Sequence, residues 1–503
     1  MLTTYNLKMP HAVYGGENAM DNITNIIKTT KAKNVAMFTD KGIEECGLFA
    51  LPEAAVKAAN VEYYVLDELP AEPSYMAVQK LVDRFKKSGA DLIVACGGGS
   101  VLDAAKLASV LVTDDYGVID GLGDGGGFAP DAPKAGFDAI PMWVADMNFP
   151  TVPTIPQAII ERAQHPAYGY FQARDEYYAS IIKWHETRNG VKGLEKKHIG
   201  YENGVLGGVI SALNVLCSKG DNVLLHSPTY IGFTHALENN GYNIVHSPLV
   251  IDENNVWRMD FDDMEKKIID EQINVTVFCS PHNPCGRVWE KWELEKAMQL
   301  FEKHHVFVIS DEIWSDIILN GNKHIPTQSV SEYAKEHTVA VYAPSKTFNL
   351  AGLIGAYHII YNDWLRERIK KESSLPHYND MNVLSMHALI GAYKSEGYEW
   401  CDELRETISG NVNFACNYIS EHFNGVTLCK PQGTYMLFID CAKWCEAHSK
   451  TIDEVMKAGW DVGVAWQDGR MFHGQTHLRL NLALPLSRVK EAFERMDKYV
   501  FNA

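Results

Sequence analysis

The stretch Ala340-Val-Tyr-Ala-Pro-Ser-Lys-Thr347 decides the fold predicted for most of this chain. Its first residues are apolar and β-forming, which predicts a buried strand. Lys346 follows that strand closely, between two hydroxyl side chains, Ser345 and Thr347. Ligands of open α/β sheets bind outside the carboxyl ends of the strands. Lys346 is therefore predicted to lie in a ligand site.

Other apolar runs end in the same manner. Strands are predicted at Asn222–His226, Val275–Cys279, Val306–Ile309, Ala340–Tyr342 and Ile354–Ile360. Polar side chains follow three of these strands, at Tyr230, Asn283 and Asp311. Because strands alternate with helices from about residue 138 onward, the sequence predicts an α/β domain with these side chains and Lys346 in one cleft.

The four side chains match the needs of one cofactor, pyridoxal 5′-phosphate (PLP). PLP chemistry requires an amine that forms a Schiff base and moves the substrate Cα proton, and a carboxylate that keeps the pyridine nitrogen protonated. It also requires a donor to the phenolate oxygen and an aromatic group against the ring. Lys346, Asp311, Asn283 and Tyr230 are the candidates for these parts. We expect Lys346, Asp311 and Tyr230 to be catalytic and all four to contact the cofactor.

Two further features predict anion binding. The run Gly204-Val-Leu-Gly-Gly208 opens a helix, and its glycines let backbone N–H groups, those of Leu206 and Gly207 among them, approach a phosphate. Ser345 is expected to add a hydroxyl contact to the same phosphate. Near the end of the chain, Arg479 can hold a substrate carboxylate through two parallel hydrogen bonds.

The order of these motifs resembles that of the fold-type I, class I/II aminotransferase superfamily. The motifs are Tyr230, Asn283-Pro-Cys-Gly286, Asp311-Glu312, Ser345-Lys346 and Arg479. Two more, Met142-Trp-Val-Ala-Asp-Met147 and Tyr168-Gly-Tyr170, are similar to the cystathionine β-lyase branch typified by the MalY and PatB C–S lyases. The resemblance covers about residues 138–503. It implies the α/β fold-type I PLP-dependent transferase fold, with a large mixed or parallel sheet domain at about 170–395 and a small α+β domain at about 138–169 plus 396–503.

The resemblance also implies roles and partners. It implies a homodimer, in which Tyr170 reaches the phosphate of the partner subunit, and a substrate pocket formed in part by Trp143 and Ala145. Trp314 stands where the superfamily commonly has Tyr and this branch often His. Because an indole N–H donates a hydrogen bond but cannot exchange protons, Trp314 is expected to shape the cofactor pocket and to leave proton transfer to Lys346.

The first part of the chain carries a different signature. Asp91-Leu-Ile-Val-Ala95 predicts a strand, and Gly97-Gly98-Gly99-Ser100 with Asp103 opens a helix, an arrangement that favours a pyrophosphate. The pattern resembles the dinucleotide-binding motif of iron-containing alcohol dehydrogenases over about residues 1–120. It implies a partial Rossmann-like α/β domain, followed by a Gly- and Pro-rich linker at 121–137.

The rest of the dehydrogenase pattern is missing from the sequence. Neither the second nucleotide motif nor the helical domain with an Asp and three His as metal ligands follows. No metal site is therefore expected, and NAD(P) is expected to be unused even if it binds. Three interpretations of this domain stay open, in this order: an inert fusion remnant, a vestigial nucleotide binder, or a dimerisation appendage.

The charge, the apolar runs and the cysteines of the chain limit which partners and which cellular location are expected. The net charge is −18 and no Lys/Arg-rich run occurs, which argues against nucleic acid or an anionic membrane as partner. No apolar run reaches the roughly 18 residues needed to span a bilayer, and the first residues lack the layout of a signal peptide. Ten cysteines are scattered without a CxxC pair, which is typical of thiols in a reducing cytosol. We expect a cytoplasmic location.

The predicted reaction is PLP-dependent β-elimination. Its substrate would be an amino-acid thioether, cystathionine or another S-substituted L-cysteine, and its products thiol, pyruvate and ammonia. One alternative is an aminotransferase, which shares the cofactor contacts; the Trp-Val-Ala-Asp-Met motif favours the lyase. The others are an NAD(P)-dependent alcohol dehydrogenase based on the first domain, expected to be inactive, and a protein that binds a transcription regulator.

Overall fold

The computed structural model describes residues 18–69, 75–110, 133–374 and 379–502. The chain divides into two units, Met1–Gly126 and Gly127–Ala503. The dividing point falls inside the stretch 121–137 that the sequence predicts as a linker, most of which (121–132) lies outside the described residues. Each unit has its own sheet and its own buried apolar clusters.

The described part of Met1–Gly126 is a small parallel α/β unit. Its helices are α1 (Asp21–Thr30), α2 (Lys41–Glu45), α3 (Ala50–Lys57), α4 (Tyr75–Ser88) and α5 (Gly99–Val110), and its strands are β1 (Asn34–Phe38), β2 (Glu62–Leu66) and β3 (Leu92–Ala95). The strands pair in the order β2-β1-β3, all parallel. The predicted strand, glycine turn and helix are therefore present as β3, Gly97–Gly98 and α5.

The side chains of β1 show why this strand is central. Val35 and Met37 are buried on one face of the sheet, in the apolar cluster that includes residues of α1 and α3. Ala36 and Phe38 are buried on the other face, with residues of α4 and α5. Because successive strand side chains point to opposite faces, a strand that is apolar throughout is stable only when helices cover both faces.

The unit Gly127–Ala503 contains a larger and a smaller sheet with helices around them. Its helices are α6 (Thr154–Ala163), α7 (Asp175–Asn189), α8 (Val205–Leu216), α9 (Ile231–Asn239), α10 (Phe261–Asp270), α11 (Lys291–His304), α12 (Glu332–His337), α13 (Asp363–Ser374), α14 (Val383–Ala392), α15 (Ser395–His422), α16 (Ala442–His448), α17 (Ile452–Asp461) and α18 (Leu486–Met496). Its strands are β4 (Ile140–Pro141), β5 (Ile199–Asn203), β6 (Asn222–Ser227), β7 (Asn243–Pro248), β8 (Val250–Ile251), β9 (Trp257–Arg258), β10 (Val275–Cys279), β11 (Phe307–Asp311), β12 (Thr338–Tyr342), β13 (Gly355–Ile359), β14 (Thr427–Leu428), β15 (Met436–Asp440), β16 (Val464–Ala465), β17 (Gln467–Asp468) and β18 (His477–Asn481).

The larger sheet has seven strands in the order β5-β13-β12-β11-β10-β6-β7. Among these strands β13 runs antiparallel to both neighbours, and the remaining pairs are parallel. Every residue of β10 and β12 is buried, as expected for central strands that are covered on both faces. Because β10, β11 and β12 are parallel, the segments that follow them meet at one edge of the sheet.

The smaller sheet is antiparallel, in the order β14-β15-β18-β17. The long helix α15 buries Leu404, Ile408 and Val412, which recur on one helical face, in the same apolar cluster as β15 and β18. Trp314 and Ile317, which follow β11, also belong to this cluster. Although α15 has 28 residues, neither it nor any other helix within the described ranges is long and apolar enough to cross a membrane.

The stretch 138–169, predicted as the first part of the small domain, contributes to two cores. Ile140 and Met142 are buried with the smaller sheet. Val152 and Ile155 are buried instead in the cluster that contains Tyr357 of β13 in the larger sheet. This stretch therefore contributes to the cores of both sheets, and α6 packs against α14, where the hydroxyl of Thr154 donates to the carbonyl of Gly391.

Candidate active site

A cavity of about 230 Å³ lies where the segments after β10, β11 and β12 meet the start of α8. The predicted site residues that line it are Ala145, Leu206, Gly207, Tyr230, Asn283, Asp311, Trp314, Ser345 and Lys346. Arg479 contacts Asn283 from behind this wall, and the carbonyl of Trp143 contacts Arg479 in turn. Tyr170 does not line the cavity of its own chain.

Lys346 is a partly buried residue in the turn after β12. Its Nζ donates a hydrogen bond to the carbonyl of Ala145 at 2.9 Å and lies 6.0 Å from the centre of the Trp314 ring. Burial lowers the pKa of Lys346 because it removes the water that would solvate the ammonium, and the carboxylate of Asp146 opposes this shift in part. The lowered pKa favours the free amine, which is the form that acts as nucleophile and base.

Asp311 is a buried carboxyl at the end of β11, with 4% of its surface exposed. Its Oδ1 accepts a hydrogen bond from the backbone N–H of Ile313 at 3.0 Å. Burial raises the pKa of Asp311 to about 7, and the ammonium of Lys346 opposes that shift only weakly. A buried carboxylate of this kind is stabilised by a positively charged N–H donor, so the residue fits a protonated pyridine nitrogen in the cavity.

Glu312, the next residue, does not line the cavity and instead holds the end of β11 through its own hydrogen bonds. Its carboxylate is fully buried and accepts from Nε2 of His324 at 2.8 Å, from the hydroxyl of Tyr342 at 2.7 Å and from the N–H of Thr327 at 2.9 Å. Burial tends to raise the pKa of Glu312, but these hydrogen bonds prevail and hold it below its usual value. The ionised Glu312 therefore ties β11 to β12 and holds Asp311 in place.

The start of α8 forms the anion-binding side of the cavity. Gly204 precedes the helix with a φ of +76°, a backbone conformation that favours glycine. Leu206 and Gly207 line the cavity from the first turn, where N–H groups have no acceptor within the helix. A Cβ added to Gly207 would meet only Asn203, at 3.9 Å, so the backbone is open to approach. Ser345 lines the same cavity, and this side fits a phosphate.

Tyr230 lies in the turn that follows β6, and Asn283 lies in the turn that follows β10. The Tyr230 ring packs edge-on against Phe233, with ring centres 5.4 Å apart, and burial raises the pKa of its hydroxyl. Asn283 is 3% exposed, and its Oδ1 accepts from Nη1 of Arg479 at 3.2 Å. Because the oxygen of Asn283 is engaged by Arg479, its amide nitrogen is the donor that remains for a cavity ligand.

Arg479 is a buried cation in β18 whose partners are neutral. Its Nη2 donates to the carbonyl of Trp143 at 3.2 Å and to Oε1 of Gln467, and its guanidinium carbon lies 4.2 Å from the centre of the Phe472 ring. Burial lowers the pKa of Arg479 to about 10. Its Nε has no hydrogen-bond partner within the described residues. An incoming carboxylate would supply the missing charge, so the residue fits a substrate carboxylate.

Tyr170 lies on an exposed stretch between α6 and α7. Its side chain is fully exposed in the single chain, and that of Tyr168 on the same stretch is more than half exposed. Large exposed aromatic side chains are typical of surfaces that contact another protein. The exposure of Tyr170 is compatible with the predicted contact across a dimer.

The structure also brings to the site residues that the sequence did not identify. The hydroxyl of Tyr435 donates to the carbonyl of Ala145 at 2.7 Å, and its ring packs edge-on against Trp314 at 4.7 Å. Gln467 holds Arg479, and Cys279 and Gly355 add to the cavity wall. Cys279 and Gly355 lie at ends of strands that the sequence predicts. Tyr435 and Gln467 carry no local signal, because their relation to the site depends on how the smaller sheet packs.

The glycine turn of the first unit lies between β3 and α5. A Cβ on Gly97 would approach Cγ2 of Val101 to 2.5 Å, so the helix that follows requires glycine there. A Cβ on Gly98 would meet nothing within 4 Å. Gly99 is the first residue of α5 and Ser100 the second, while the side chain of Asp103 lies outside what the structure describes. Within the described residues no group of three or more His, Cys, Asp or Glu side chains could hold a metal ion.

The seven-stranded mixed sheet, the smaller antiparallel sheet and the cavity that contains Lys346 and Asp311 define a fold-type I PLP-dependent transferase fold. The family model for aminotransferase class I and II matches residues 140–496, and the chain belongs to that family. A second family model, for iron-containing alcohol dehydrogenase, matches residues 10–145. Both resemblances drawn from the sequence motifs are thereby confirmed.

Individual relatives show which members of the family this chain is similar to. Cystathionine β-lyase PatB of Bacillus subtilis (strain 168) is 32% identical over 362 residues, which are 71% of this chain and 92% of PatB. Protein MalY of Escherichia coli (strain K12) is 29% identical over 364 residues, 70% of this chain and 90% of MalY. The solved structure of the PLP-bound C–S lyase from Staphylococcus hominis is 29% identical, covers 71% of this chain and 90% of its own, and has a TM-score of 0.66.

Proposed function

We propose that this protein is a PLP-dependent carbon–sulfur β-lyase that converts cystathionine or another S-substituted L-cysteine to a thiol, pyruvate and ammonia. The observation that carries the proposal is the meeting of the Lys346 amine and the buried Asp311 carboxyl in one cavity. The similarity to PatB, a cystathionine β-lyase, supports the choice of reaction.

The cavity fits PLP part by part. Asp311 would hold the pyridine nitrogen, the first turn of α8 with Ser345 would hold the phosphate, and Asn283 with Tyr230 would hold the ring and its phenolate oxygen. Lys346 would hold the cofactor covalently through its amine. When bound, PLP supplies an electron sink for the charge that develops on the substrate Cα.

The residues of the chain then perform the remaining steps. Arg479 binds the substrate carboxylate and thereby orients the amino acid. The free amine of Lys346 removes the Cα proton, the bond between Cβ and sulfur breaks, and the thiolate leaves. Hydrolysis of the remaining three-carbon fragment yields pyruvate and ammonia. Trp314 packs beside Lys346 without a titratable group, so Lys346 is left as the proton carrier.

The test is an assay of the pure protein with PLP and cystathionine, with no keto acid added. Thiol and pyruvate should appear in equal amounts. Cysteine and an S-alkyl cysteine, run in parallel, would rank the leaving groups. Absence of pyruvate from every thioether, under conditions in which PLP is bound, would reject the lyase.

A second candidate function is PLP-dependent amino transfer. The family model that matches the chain describes aminotransferases, and the cofactor contacts are common to both reactions. The two differ in the acceptor, because a transaminase turns over only when a keto acid regenerates the cofactor. Turnover that depends on added keto acid and releases no thiol would select the transaminase.

We propose further that two chains associate through the exposed stretch that carries Tyr170, so that Tyr170 reaches the phosphate bound by the partner subunit. The exposure of Tyr170 and Tyr168 supports this arrangement. All ten cysteines are free, which supports a reducing, cytoplasmic location. Light scattering should give twice the chain mass, and Tyr170→Ala should weaken PLP binding without changing the fold.

For the first unit we propose the division 1–120, 121–137 and 138–503, with the first segment an inert remnant of a nucleotide-binding domain. The match to iron-containing alcohol dehydrogenase over 10–145 and its three-stranded sheet support this origin. Alcohol-dependent reduction of NAD(P) by the pure protein would instead make this unit an active dehydrogenase. Binding of a transcription regulator that survives Lys346→Ala would make the whole chain a regulator-binding protein.

A further inference from the structure

Side chains hold all five carbonyl groups of the segment Trp143–Met147, which we call the strap. The donors, in order of the carbonyls from Trp143 to Met147, are Arg479, Asn481, Lys346 together with Tyr435, Asn481 again, and Asn349. Two of these donors, Lys346 and Arg479, are the residues proposed to move the proton and to bind the carboxylate. The strap is therefore part of the environment of both groups.

Tyr435 differs from the other neutral donors because it shares its acceptor with Lys346. Its hydroxyl lies 2.7 Å from the carbonyl oxygen of Ala145, and Nζ of Lys346 lies 2.9 Å from the same oxygen. The Tyr435 side chain is 1% exposed and packs against Trp314, so water does not replace its hydroxyl. Within the part of the chain that the structure describes, the carbonyl that accepts from the Lys346 amine is thus also held by the hydroxyl of a buried aromatic residue.

We propose that Tyr435 is a positioning residue whose hydroxyl fixes the Ala145 carbonyl at the point where the Lys346 amine is received whenever that amine is free. The consequence for turnover rests on the proposed function. The shared contact itself involves only residues of the chain, namely Tyr435, Ala145 and Lys346.

The hydroxyl has two opposed effects on Lys346. It draws electron density from the Ala145 oxygen, which weakens that oxygen as an acceptor. It also restrains the oxygen, so that the strap need not move to solvate an ammonium. In a buried site a preorganised acceptor stabilises charge more than a mobile one. The proposal takes restraint to outweigh the withdrawal of electron density, so the loss of the hydroxyl in Tyr435→Phe should lower the pKa of the Lys346 amine.

The direct experiment measures the reactivity of Lys346 in the cofactor-free protein. The protein is treated with acetic anhydride over a range of pH, and the Lys346 peptide is quantified by mass spectrometry. At a fixed pH where the amine is mostly protonated, Tyr435→Phe should raise the rate of acetylation about three- to tenfold, the effect of losing one buried hydrogen bond. In the PLP-loaded enzyme the rising limb of kcat should move to lower pH, with KM little changed.

A matched control removes a similar hydroxyl elsewhere. Tyr333 donates to the backbone carbonyls of Phe301 at 3.1 Å and Val306 at 2.9 Å, away from the cavity. Tyr333→Phe should leave both the acetylation of Lys346 and the pH profile of kcat unchanged. A change of the same size in this control would overturn the assignment to Tyr435.

A second variant separates the hydroxyl from the ring. Tyr435→Leu removes both, and the proposal expects Tyr435→Phe to produce most of its shift. If only Tyr435→Leu changes Lys346, packing against Trp314 is responsible and the proposal is wrong. Unchanged or slower acetylation in Tyr435→Phe is equally decisive against it. A shift in Lys346 reactivity without any thioether cleavage would reject the lyase and leave the positioning role standing.

Discussion

Two turns in this chain share a local design and differ in their surroundings. β3 leads through Gly97–Gly98 into α5, and β5 leads through Gly204 into α8. The turn at Gly204 lies in a cavity that also receives residues from the ends of β10, β11 and β12. The described sheet of the first unit has three strands. A strand, a glycine and a helix start therefore make a general anion site, and the neighbouring strands supply the reaction.

The largest expected effect comes from removing the amine of Lys346, which lies in the cavity at the Gly204 turn. Lys346→Ala should lower pyruvate formation from cystathionine about 10³-fold or more, because it removes the proposed proton carrier and the covalent attachment of PLP. The visible absorbance of bound PLP should change in the same variant. A variant that keeps both activity and absorbance would show that the cavity at Gly204 is not the reaction site.

The second effect concerns the buried acid, and its sign follows from linkage. Burial raises the pKa of Asp311 from 3.8 to about 7 in the folded chain. A group whose pKa is higher in the folded than in the unfolded chain stabilises the fold most below its unfolded pKa. This contribution to the free energy of unfolding is lost as the pH rises through the folded pKa. At pH 8 the cofactor-free protein therefore bears a buried carboxylate whose desolvation is only partly offset by the N–H of Ile313 and by Lys346, and this costs at most about 4 kcal/mol.

Asp311→Asn should thus stabilise the cofactor-free protein at pH 8 and leave it nearly unchanged near pH 4. The same variant should bind PLP more weakly, because the charge pair with the pyridine nitrogen is lost. Thermal unfolding as a function of pH, with and without PLP, measures both effects. Lower stability of the variant at pH 8 would contradict the assignment of Asp311 as a carboxylate that awaits a cation.

Much of this comparison was predictable because strand ends and glycine turns are local features. The strand predicted at Asp91–Ala95 matches β3, and Val275–Cys279 matches β10. Asp311 and Lys346 were placed at one edge of the sheet because parallel strands bring their carboxyl ends together.

Contacts that depend on tertiary packing were not predictable in the same way. Tyr435 shares the Ala145 carbonyl with Lys346, yet nothing in its neighbourhood of the sequence marks it as a site residue. Likewise, the sequence marks Ile155 as apolar but does not indicate which of the two apolar cores would bury it. Periodicity identifies a buried face but not the partner that buries it.

A third, smaller effect tests Arg479 as the residue that binds the substrate carboxylate. Arg479→Lys should raise KM for a thioether about tenfold or more and change kcat less, because an ammonium cannot form two parallel bonds to a carboxylate. Arg405→Lys is the matched control, since Nε of Arg405 donates to the carbonyl of Ile318 at 3.0 Å. Equal KM values for the two variants would place carboxylate binding elsewhere.

The smallest effect, and the closest test of the comparison, substitutes one glycine in each turn. Gly204 has a φ of +76°, so Gly204→Ala strains the backbone by about 1 kcal/mol or more, although its Cβ would approach Ile354 no closer than 3.7 Å. The strain falls on the helix start that is proposed to hold the phosphate. PLP affinity, measured by absorbance titration, should fall about five- to tenfold.

Gly98→Ala makes the matching change in the first unit, where a Cβ meets nothing within 4 Å. If that unit is an inert remnant, the variant should keep the PLP affinity and the lyase activity of the unmodified protein. A loss of NADH binding in Gly98→Ala, detected by NADH fluorescence, would show that the first turn still holds a nucleotide. The two turns would then differ in the ligand that each holds.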